Sequence, residues 1–296
     1  MLTTRYIPAQ NPFSTVGYYF LSDREADERE IPVMPAGVSS GETVTTFTAR
    51  TFHEVNEVSP GTTGHYLAGE DFRYTPSNTF TFDLPDRVEG TSVWTQVNFF
   101  AKTKNPSRLL YTVNGDQLSQ SYEDDIRGCD ISSSYIHGAD ATLRREFDMS
   151  GNRLTLGLTH TSASSSVITA RLDLIAVNYT RALKLRDGKL DFTLRDVSFT
   201  IDGATADTRV WDVTDPLDIS QLATTANGNS VSCINQYTGA RSYMAWNESG
   251  TFPSPLFVKN IANQDIHATA TPDMVIFTIS DWESQAQRIA DYHRNT

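Results

Sequence analysis

The amino-acid sequence predicts a mainly β protein: a jelly-roll or galactose-binding-like β-sandwich, a second small β unit, and then the first strand and helix of a truncated α/β domain. Three observations support this fold class. Short segments that alternate apolar and polar residues recur along the chain, separated by Gly, Asn and Asp turn residues. Helical spacing of apolar residues is almost absent before Asp281. After that residue the pattern becomes helical.

Most of the strand-like segments have one apolar face. Phe80, Phe82 and Leu84, for example, occupy the same face of an alternating segment. The segment 167–179 is apolar on both faces, which is typical of a central strand that is covered on both sides. The predicted strands cover residues 44–53, 79–85, 93–102, 109–113, 154–159, 167–179, 190–194, 197–201 and 209–213.

Two dipeptides between strand-like segments predict tight hairpins. Asn114-Gly115, which follows the segment 109–113, is a strong two-residue turn signal, because both residues readily adopt positive φ. Asp187-Gly188 predicts a second hairpin, which would join residues 183–185 to residues 190–194.

The C-terminal stretch has a different residue pattern from the rest of the chain. Residues 274–279 form an apolar run of strand length, and Ser280 with Glu283 predicts a capping box at the start of a helix. The apolar positions of that helix would be Trp282, Ala286, Ile289 and Tyr292 or His293. A strand followed by an amphipathic helix is how a parallel α/β sheet begins.

We therefore expect three parts: a β-sandwich accessory domain in residues 1–180, a second β unit in 181–268, and the start of an α/β domain in 269–296. Because no second strand follows the helix, we expect the chain to be a piece of a longer protein. The strand at 274–279 would then lack its neighbours and present an unprotected edge.

Charge and composition exclude several classes of protein. The chain has 36 acidic and 24 basic residues, a net charge of −12, which argues against a nucleic-acid surface. No apolar run is long enough to span a bilayer, and residues 1–6 lack the apolar core of a signal peptide. If the protein is exported, we expect its signal to have been removed or to lie upstream.

Two cysteines leave several interpretations open. Cys129 and Cys233 could form a disulfide, could be two buried thiols, or could be unrelated. The sequence contains no Cys-x-x-Cys motif and no His/Cys cluster with metal-ligand spacing.

Histidines and carboxylates are concentrated in one region, at His53-Glu54, His65 and Glu70-Asp71. A metal site needs three or four such groups that converge. A strand would place His53 and Glu54 on opposite faces, so the spacing favours a hydrogen-bonded structural role over a metal site.

Further candidate sites have structural alternatives. Trp211 is interpreted as a core residue, and Asp215-Pro216 as the start of a turn. Oxygen ligands for Ca²⁺ could come from Asp202, Asp207, Asp212, Asp215 and Asp218, although these residues are spread over several elements.

Ser164, Ser165 and Ser166 with His160 suggest a nucleophile only superficially, because no Gly-x-Ser-x-Gly motif is present. Aromatic residues that could line a saccharide groove, or belong to the core, are Tyr66, Tyr74, Trp94, Tyr111, Tyr122 and Tyr135.

Four motifs occur in an order that resembles a known family. They are Phe52-His53-Glu54, Gly-His-Tyr-Leu-Ala-Gly-Glu-Asp-Phe at 64–72, Val-Trp-Asp-Val-Thr-Asp-Pro at 210–216, and Pro272-Asp273 with the apolar run and residues 286–294. Together they resemble the region just before and into the catalytic domain of gingipain-type cysteine peptidases. The closest likeness is to the sortase of the type IX secretion system, which trims C-terminal sorting signals from secreted proteins. Leu67 stands where that family has Trp, which is a departure.

The resemblance implies an accessory region without peptidase chemistry. The family's catalytic Cys and His lie downstream of the matched part, so no catalytic, cofactor-binding or metal-binding residue can be transferred to this chain. The implied partners are a downstream catalytic domain of the same chain and secreted substrates or secretion-system components. The implied location is exported, in the periplasm or at the outer-membrane-associated cell surface. The alternatives are a stand-alone carbohydrate-binding β-sandwich and, less supported by motifs, a stand-alone hydrolase.

Overall fold

The computed structural model describes residues 7, 16–21, 30–38, 41–60, 67–117, 125–163, 166–261, 267–268 and 270–295. The chain divides into two compact units, Met1–Thr251 and Phe252–Thr296. The strands of the first unit are β1 (Val33–Met34), β2 (Thr46–Glu54), β3 (Ser77–Asp83), β4 (Val93–Thr103), β5 (Ser107–Val113), β6 (Asp116–Gln117), β7 (Asp125–Ile126), β8 (Ala139–Phe147), β9 (Arg153–Ser162), β10 (Val167–Ala182), β11 (Lys189–Leu194), β12 (Ser198–Asp202), β13 (Thr208–Asp212), β14 (Ser220–Leu222), β15 (Thr224–Asn227), β16 (Ser230–Ile234) and β17 (Arg241–Asn247).

The N-terminal β-sandwich is built from two sheets. One has the strand order β2-β10-β4-β8, and the other has the order β3-β9-β5-β6, with β7 paired to β5. Alternation places Phe80 and Phe82 of β3 in the same buried cluster as Val97 and Phe99 of β4. The mainly β class and the sandwich predicted from the sequence are therefore confirmed.

The predicted central strand is confirmed as β10, which pairs with β2 on one side and β4 on the other. Its two faces are both buried over the middle of the strand. Ile175 and Val177 belong to the main core, while Leu174 and Ala176 are buried on the opposite face. This explains why the segment lacks alternation.

The two predicted turns form, but only one of them makes a hairpin of two paired strands. Asn114 and Gly115 have φ values of 51° and 94° and connect β5 to β6. Asp187 and Gly188 also have positive φ, yet residues 183–185 do not pair with β11, so that part of the prediction was wrong. The N–H groups of those residues are used elsewhere, because Leu183 donates to Thr45 and Leu185 to Asp202. Strand β11 pairs with β17 instead.

A second pair of sheets follows in the same unit. Its larger sheet has the order β1-β14-β13-β17-β11, and its smaller sheet has the order β12-β16-β15. Phe192, Phe199 and Tyr243 pack together in its core with ring centroids 5.0 to 5.4 Å apart. The ring centroids of Phe47 in β2 and Phe192 in β11 are 5.9 Å apart, so the two pairs of sheets share one continuous core.

The C-terminal unit ends in a 3-10 helix, Ser280–Trp282, and an α-helix, α1 (Glu283–Arg294). The predicted helix is therefore confirmed, but the predicted capping box is wrong. Trp282 occupies the N-cap of α1 and no side chain caps the helix, because Ser280 is taken up in the preceding 3-10 turn. In the part of the chain that the structure describes, no helix has the length and apolar character needed to cross a membrane.

Residues 274–279, predicted as a strand, are not in a sheet. A strand needs a hydrogen-bonding neighbour, and the described residues provide none for this segment. Phe277 is 94 % exposed, and no residue of α1 is buried. The apolar stripe of α1 and its 3-10 turn, formed by Trp282, Ile289 and Tyr292, is likewise exposed.

Deleting residues 270–296 should leave the melting temperature of the β region nearly unchanged, because none of the side chains in α1 is buried. Differential scanning calorimetry of the full and shortened chains measures this directly. A loss of several degrees would show that the C-terminal unit contributes to the β core. As a matched control, Phe192→Ala should lower the melting temperature strongly, because it opens a cavity in the core.

Candidate functional site

Among the described residues of the His/carboxylate concentration, the structure brings His53 and Glu70 into direct contact. His53 Nε2 lies 2.6 Å from Glu70 Oε1, and the imidazole packs at 4.9 Å from the ring of Phe80. Burial alone would raise the pKa of Glu70, but the hydrogen bond and charge of His53 hold that pKa below its usual range. The result is an oriented imidazole at the junction of two edge strands, β2 and β3.

A cleft of about 480 Å³ lies beside this pair, between residues 51–53 of β2 and 79–83 of β3. Its described lining consists of Thr, Phe, His and Asp side chains, without a cysteine or serine. A histidine held by a carboxylate is half of a general-base arrangement. The nucleophile that would complete such an arrangement is not among the described lining residues.

The other residues of the His/carboxylate concentration have separate partners. Glu54 Oε1 accepts a hydrogen bond from Asn56 at 3.2 Å, and Asp71 pairs with Arg171 at 3.0 Å. His65 lies outside the described residues. No group of three potential metal ligands occurs among the residues that the structure describes.

Asp212 is the most densely connected side chain of the motif at 210–216. It is only 2 % exposed, and Oδ1 accepts from the backbone N–H (3.0 Å) and hydroxyl (2.6 Å) of Thr214. Its Oδ2 accepts from Arg241 Nε at 2.7 Å and from Asn235 Nδ2 at 3.2 Å. Asn235 also donates to the hydroxyl of Tyr243 at 2.7 Å.

The surroundings of Asp212 stabilise the ionised form of its carboxylate. Burial of the Asp212 carboxylate would raise its pKa, but the hydrogen bonds from Thr214 and Arg241 outweigh burial and leave the pKa below its usual range. Arg241 also stacks over the ring of Tyr237 at 4.8 Å. The motif is thus organised around a structural buried charge that joins β13 to β17.

The remaining aspartates of the proposed calcium set are spread over three places: Asp202 ends β12, Asp207 lies in a turn before β13, and Asp215 and Asp218 share one turn. Asp207 accepts from the backbone N–H of Ser249 at 2.8 Å, and Asp215 from that of Leu217 at 2.9 Å. Asp215 therefore forms the predicted turn. Trp211, interpreted from the sequence as core, is instead half-buried on the outer face of its sheet, so that prediction was wrong.

Burial argues against a catalytic role for two further candidates, His160 and Cys233. His160 is buried beside Phe99, and burial lowers its pKa. Ser164 and Ser165 lie outside the described residues. Both cysteines are free thiols, which answers the question that the sequence left open. Cys233 is buried, and burial raises its pKa to about 12, so it cannot serve as a thiolate near neutral pH.

The aromatic residues proposed for a saccharide groove divide into two groups. Trp94 and Tyr111 are buried, whereas Tyr74 and Tyr135 are exposed. Tyr66 and Tyr122 lie outside the described residues. The first group belongs to the interior and cannot present a ring to a ligand.

The arrangement of the sheets is similar to that of a solved protein. The crystal structure of dimeric latent PorU from Porphyromonas gingivalis matches 90 % of this chain with a TM-score of 0.72 and 20 % sequence identity. The fold is PorU-like. The chain spans 26 % of the length of PorU, and at this identity the likeness shows the fold alone.

The other comparisons with known proteins give one weak structural match and no sequence match. An exo-beta-1,3-galactanase from Phanerochaete chrysosporium matches 46 % of this chain and 29 % of its own, at 15 % identity and a TM-score of 0.25, which is too low to carry an argument. No protein-family model and no curated protein matches the sequence.

Sequence reasoning missed three side chains that contact the motif at 210–216. The pairing of β13 with β17 brings Arg241 to Asp212 and Trp246 to within 4.6 Å of Trp211, measured between ring centroids. The loop between β16 and β17 brings Asn235 to Asp212. One signal was available: Asp212 precedes Thr214 by two residues, the spacing of an Asx turn.

Asp212→Asn should lower the free energy of unfolding by about 2 to 3 kcal/mol at pH 7, because it leaves Arg241 without its buried partner. Urea titration of both proteins measures the change. The Asp212 contribution is present above its unfolded pKa of about 3.9 and disappears as pH falls through its lower folded pKa, so the two proteins should converge in acid. Asp215→Asn, at an exposed turn of the same motif, should cost under about 1 kcal/mol.

His160 should make the fold less stable below about pH 6.5, because the unfolded chain binds a proton there that the buried imidazole does not. The contribution cannot exceed about 1.4 kcal/mol per pH unit. His160→Leu should flatten the dependence of unfolding free energy on pH between 6.5 and 5, whereas His293→Gln on exposed α1 should not. An unchanged slope in the His160 variant would refute the assignment.

Proposed function

We propose that this chain is a non-catalytic accessory region of a type IX secretion sortase-like cysteine peptidase. The observation that carries the proposal is the PorU-like fold over 90 % of the chain, since PorU is a type IX secretion sortase. The parent enzyme would remove C-terminal sorting signals from secreted proteins. This region would hold the catalytic domain in place or position the protein substrate.

The exposed apolar surface of the C-terminal unit supports this role. Met274, Val275 and Phe277 of the apolar run are all exposed. Trp282 and Ile289 continue the exposed surface along the 3-10 turn and the helix. A parallel sheet with helices on its faces would cover such a strand and helix completely. The proposed partner is therefore an α/β catalytic domain of the same chain, downstream of this region.

The domain division is part of the proposal: an accessory sandwich in residues 1–180, a second β unit in 181–268 and the start of the peptidase domain in 269–296. Secreted substrates or secretion-system components would contact the β units. The proposed location is exported, in the periplasm or at the outer-membrane-associated cell surface.

A stand-alone carbohydrate-binding module is the second candidate. The feature that distinguishes it is an exposed aromatic platform, and two of the aromatic residues proposed for one in the N-terminal sandwich, Trp94 and Tyr111, are buried. One observation favours this candidate: Trp211 is accessible on an outer sheet face, beside Trp246.

The purified chain should not hydrolyse peptide or ester substrates, which separates the proposal from a stand-alone hydrolase. Cys233 is buried as a thiol, and the described cleft beside His53 lacks a cysteine or serine. Turnover of a fluorogenic peptide library, measured with and without a thiol-alkylating reagent, tests this. The controls are the Cys129→Ala and Cys233→Ala variants, purified in the same way. Thiol-dependent turnover that persists in both variants would come from a contaminant. Turnover that is lost in either variant would contradict the proposal.

In cells, deleting codons 1–251 from the gene should leave secreted proteins with uncleaved C-terminal signals, detectable by mass spectrometry of the surface fraction. Trp282→Asp combined with Ile289→Asp should produce the same defect, because charges on the apolar stripe oppose docking. Gln287→Asp, on the polar side of α1, is the matched control and should process normally. Normal processing after the deletion would overturn the accessory role.

A further inference from the structure

The larger sheet of the second β unit presents an unusual outer face. The buried side chains of its strands, such as Val210, Phe192 and Tyr243, point to the core. Strand register then places one row of side chains across the opposite face, from Asp191 through Met244, Trp211 and Gln221 to Val33. The next row contains Lys189, Trp246 and Arg209.

Trp211 and Trp246 form the centre of this face. Their ring centroids are 4.6 Å apart and the rings are at 89°, so the pair is edge-to-face. Trp211 Nε1 donates to Gln221 Oε1 at 3.4 Å, which helps to hold its ring in place. Met244, between the two tryptophans and Asp191, is 47 % exposed. Outward positions of such a strand normally carry polar residues, so two tryptophans and a methionine here indicate a binding surface.

The rim of this surface is polar and balanced in charge. Arg209 pairs with Glu248, with Arg209 Nη2 2.8 Å from Glu248 Oε2, while Lys189 and Asp191 lie on the neighbouring edge strand. Two cationic and two anionic side chains therefore surround the tryptophans. A surface with this balance does not select a strongly charged ligand.

A cleft of about 270 Å³ begins beside the platform. Asp191 and Met244 line both, and the hydroxyls of Thr193 and Ser242, 3.2 Å apart, lie further along the cleft. Adjacent strands are about 4.8 Å apart, so the row from Asp191 to Gln221 extends about 14 Å, the length of a short oligosaccharide.

We propose that this face is a binding site for a neutral glycan chain. A sugar ring has an apolar C–H face, which packs on an aromatic side chain, and hydroxyl groups that need donors and acceptors around its edge. The tryptophan pair with Met244 supplies the first requirement. Gln221, Asp191 and the polar groups of the cleft, which include the hydroxyls of Thr193 and Ser242 and also Arg50 and Arg181, supply the second. The site does not depend on the accessory role, because it uses only residues of the β region.

The test uses the full chain and a panel of neutral gluco-, manno-, galacto- and xylo-oligosaccharides as probes, followed by intrinsic tryptophan fluorescence and calorimetry. At least one probe should bind and change the emission of the tryptophan pair. Trp246→Ala should weaken binding at least tenfold. Met244→Arg, at an exposed position that tolerates a large polar side chain, should do the same without affecting the fold.

Tyr135→Ala, which removes an exposed aromatic ring from the N-terminal sandwich, is the matched control and should bind normally. Binding should also be insensitive to salt, as expected for a neutral ligand. The proposal is overturned if no neutral probe binds, if binding survives both platform variants, or if only acidic glycans bind with a strong salt dependence.

Discussion

The fold depends on one continuous apolar core that crosses from the first pair of sheets to the second. Strand β10 carries this core through the first sandwich, and the chain leaving it buries Leu183 and Leu185 at the entrance to the second. Phe47 and Phe192 then meet across the boundary. Because the core is shared, the two pairs of sheets should unfold together. Side-chain packing in that core fixes the position of one pair relative to the other.

Buried polar groups add specificity to this packing. Asp212 is paired with Arg241 and hydrogen-bonded to Asn235 and Thr214, which leaves it little freedom to rearrange. A sequence motif centred on such a structural residue is evidence for a fold and is not evidence for a catalytic activity. The residues of the motif at 210–216 are therefore explained by their structural role at the end of β13.

Strands marked by a clear alternating or continuous apolar segment were predictable, and strands without one were not. Phe80 and Phe82 reveal β3 by alternation, and the run at 167–179 reveals β10 by its continuous apolar character. In β8, Arg145 interrupts the inward row between Leu143 and Phe147, and β17 was not predicted although it carries Tyr243, Met244 and Trp246. The sites follow the same rule, because His53–Glu70 and Trp211–Trp246 are joined by loop packing and strand register, which a sequence does not contain.

Two of the apolar surfaces in the described part of the chain differ in their chemistry. The run at 274–279 with the stripe of Trp282, Ile289 and Tyr292 is apolar almost throughout, a composition that resembles the core of a protein interface. The Trp211–Trp246 face alternates rings with carboxylates, amides and guanidinium groups at close spacing. A protein core would leave those polar groups unpaired and would be disfavoured there, whereas a polyhydroxylated ligand can satisfy them. The two surfaces thus differ in composition in the way that the proposed protein partner and the proposed glycan require.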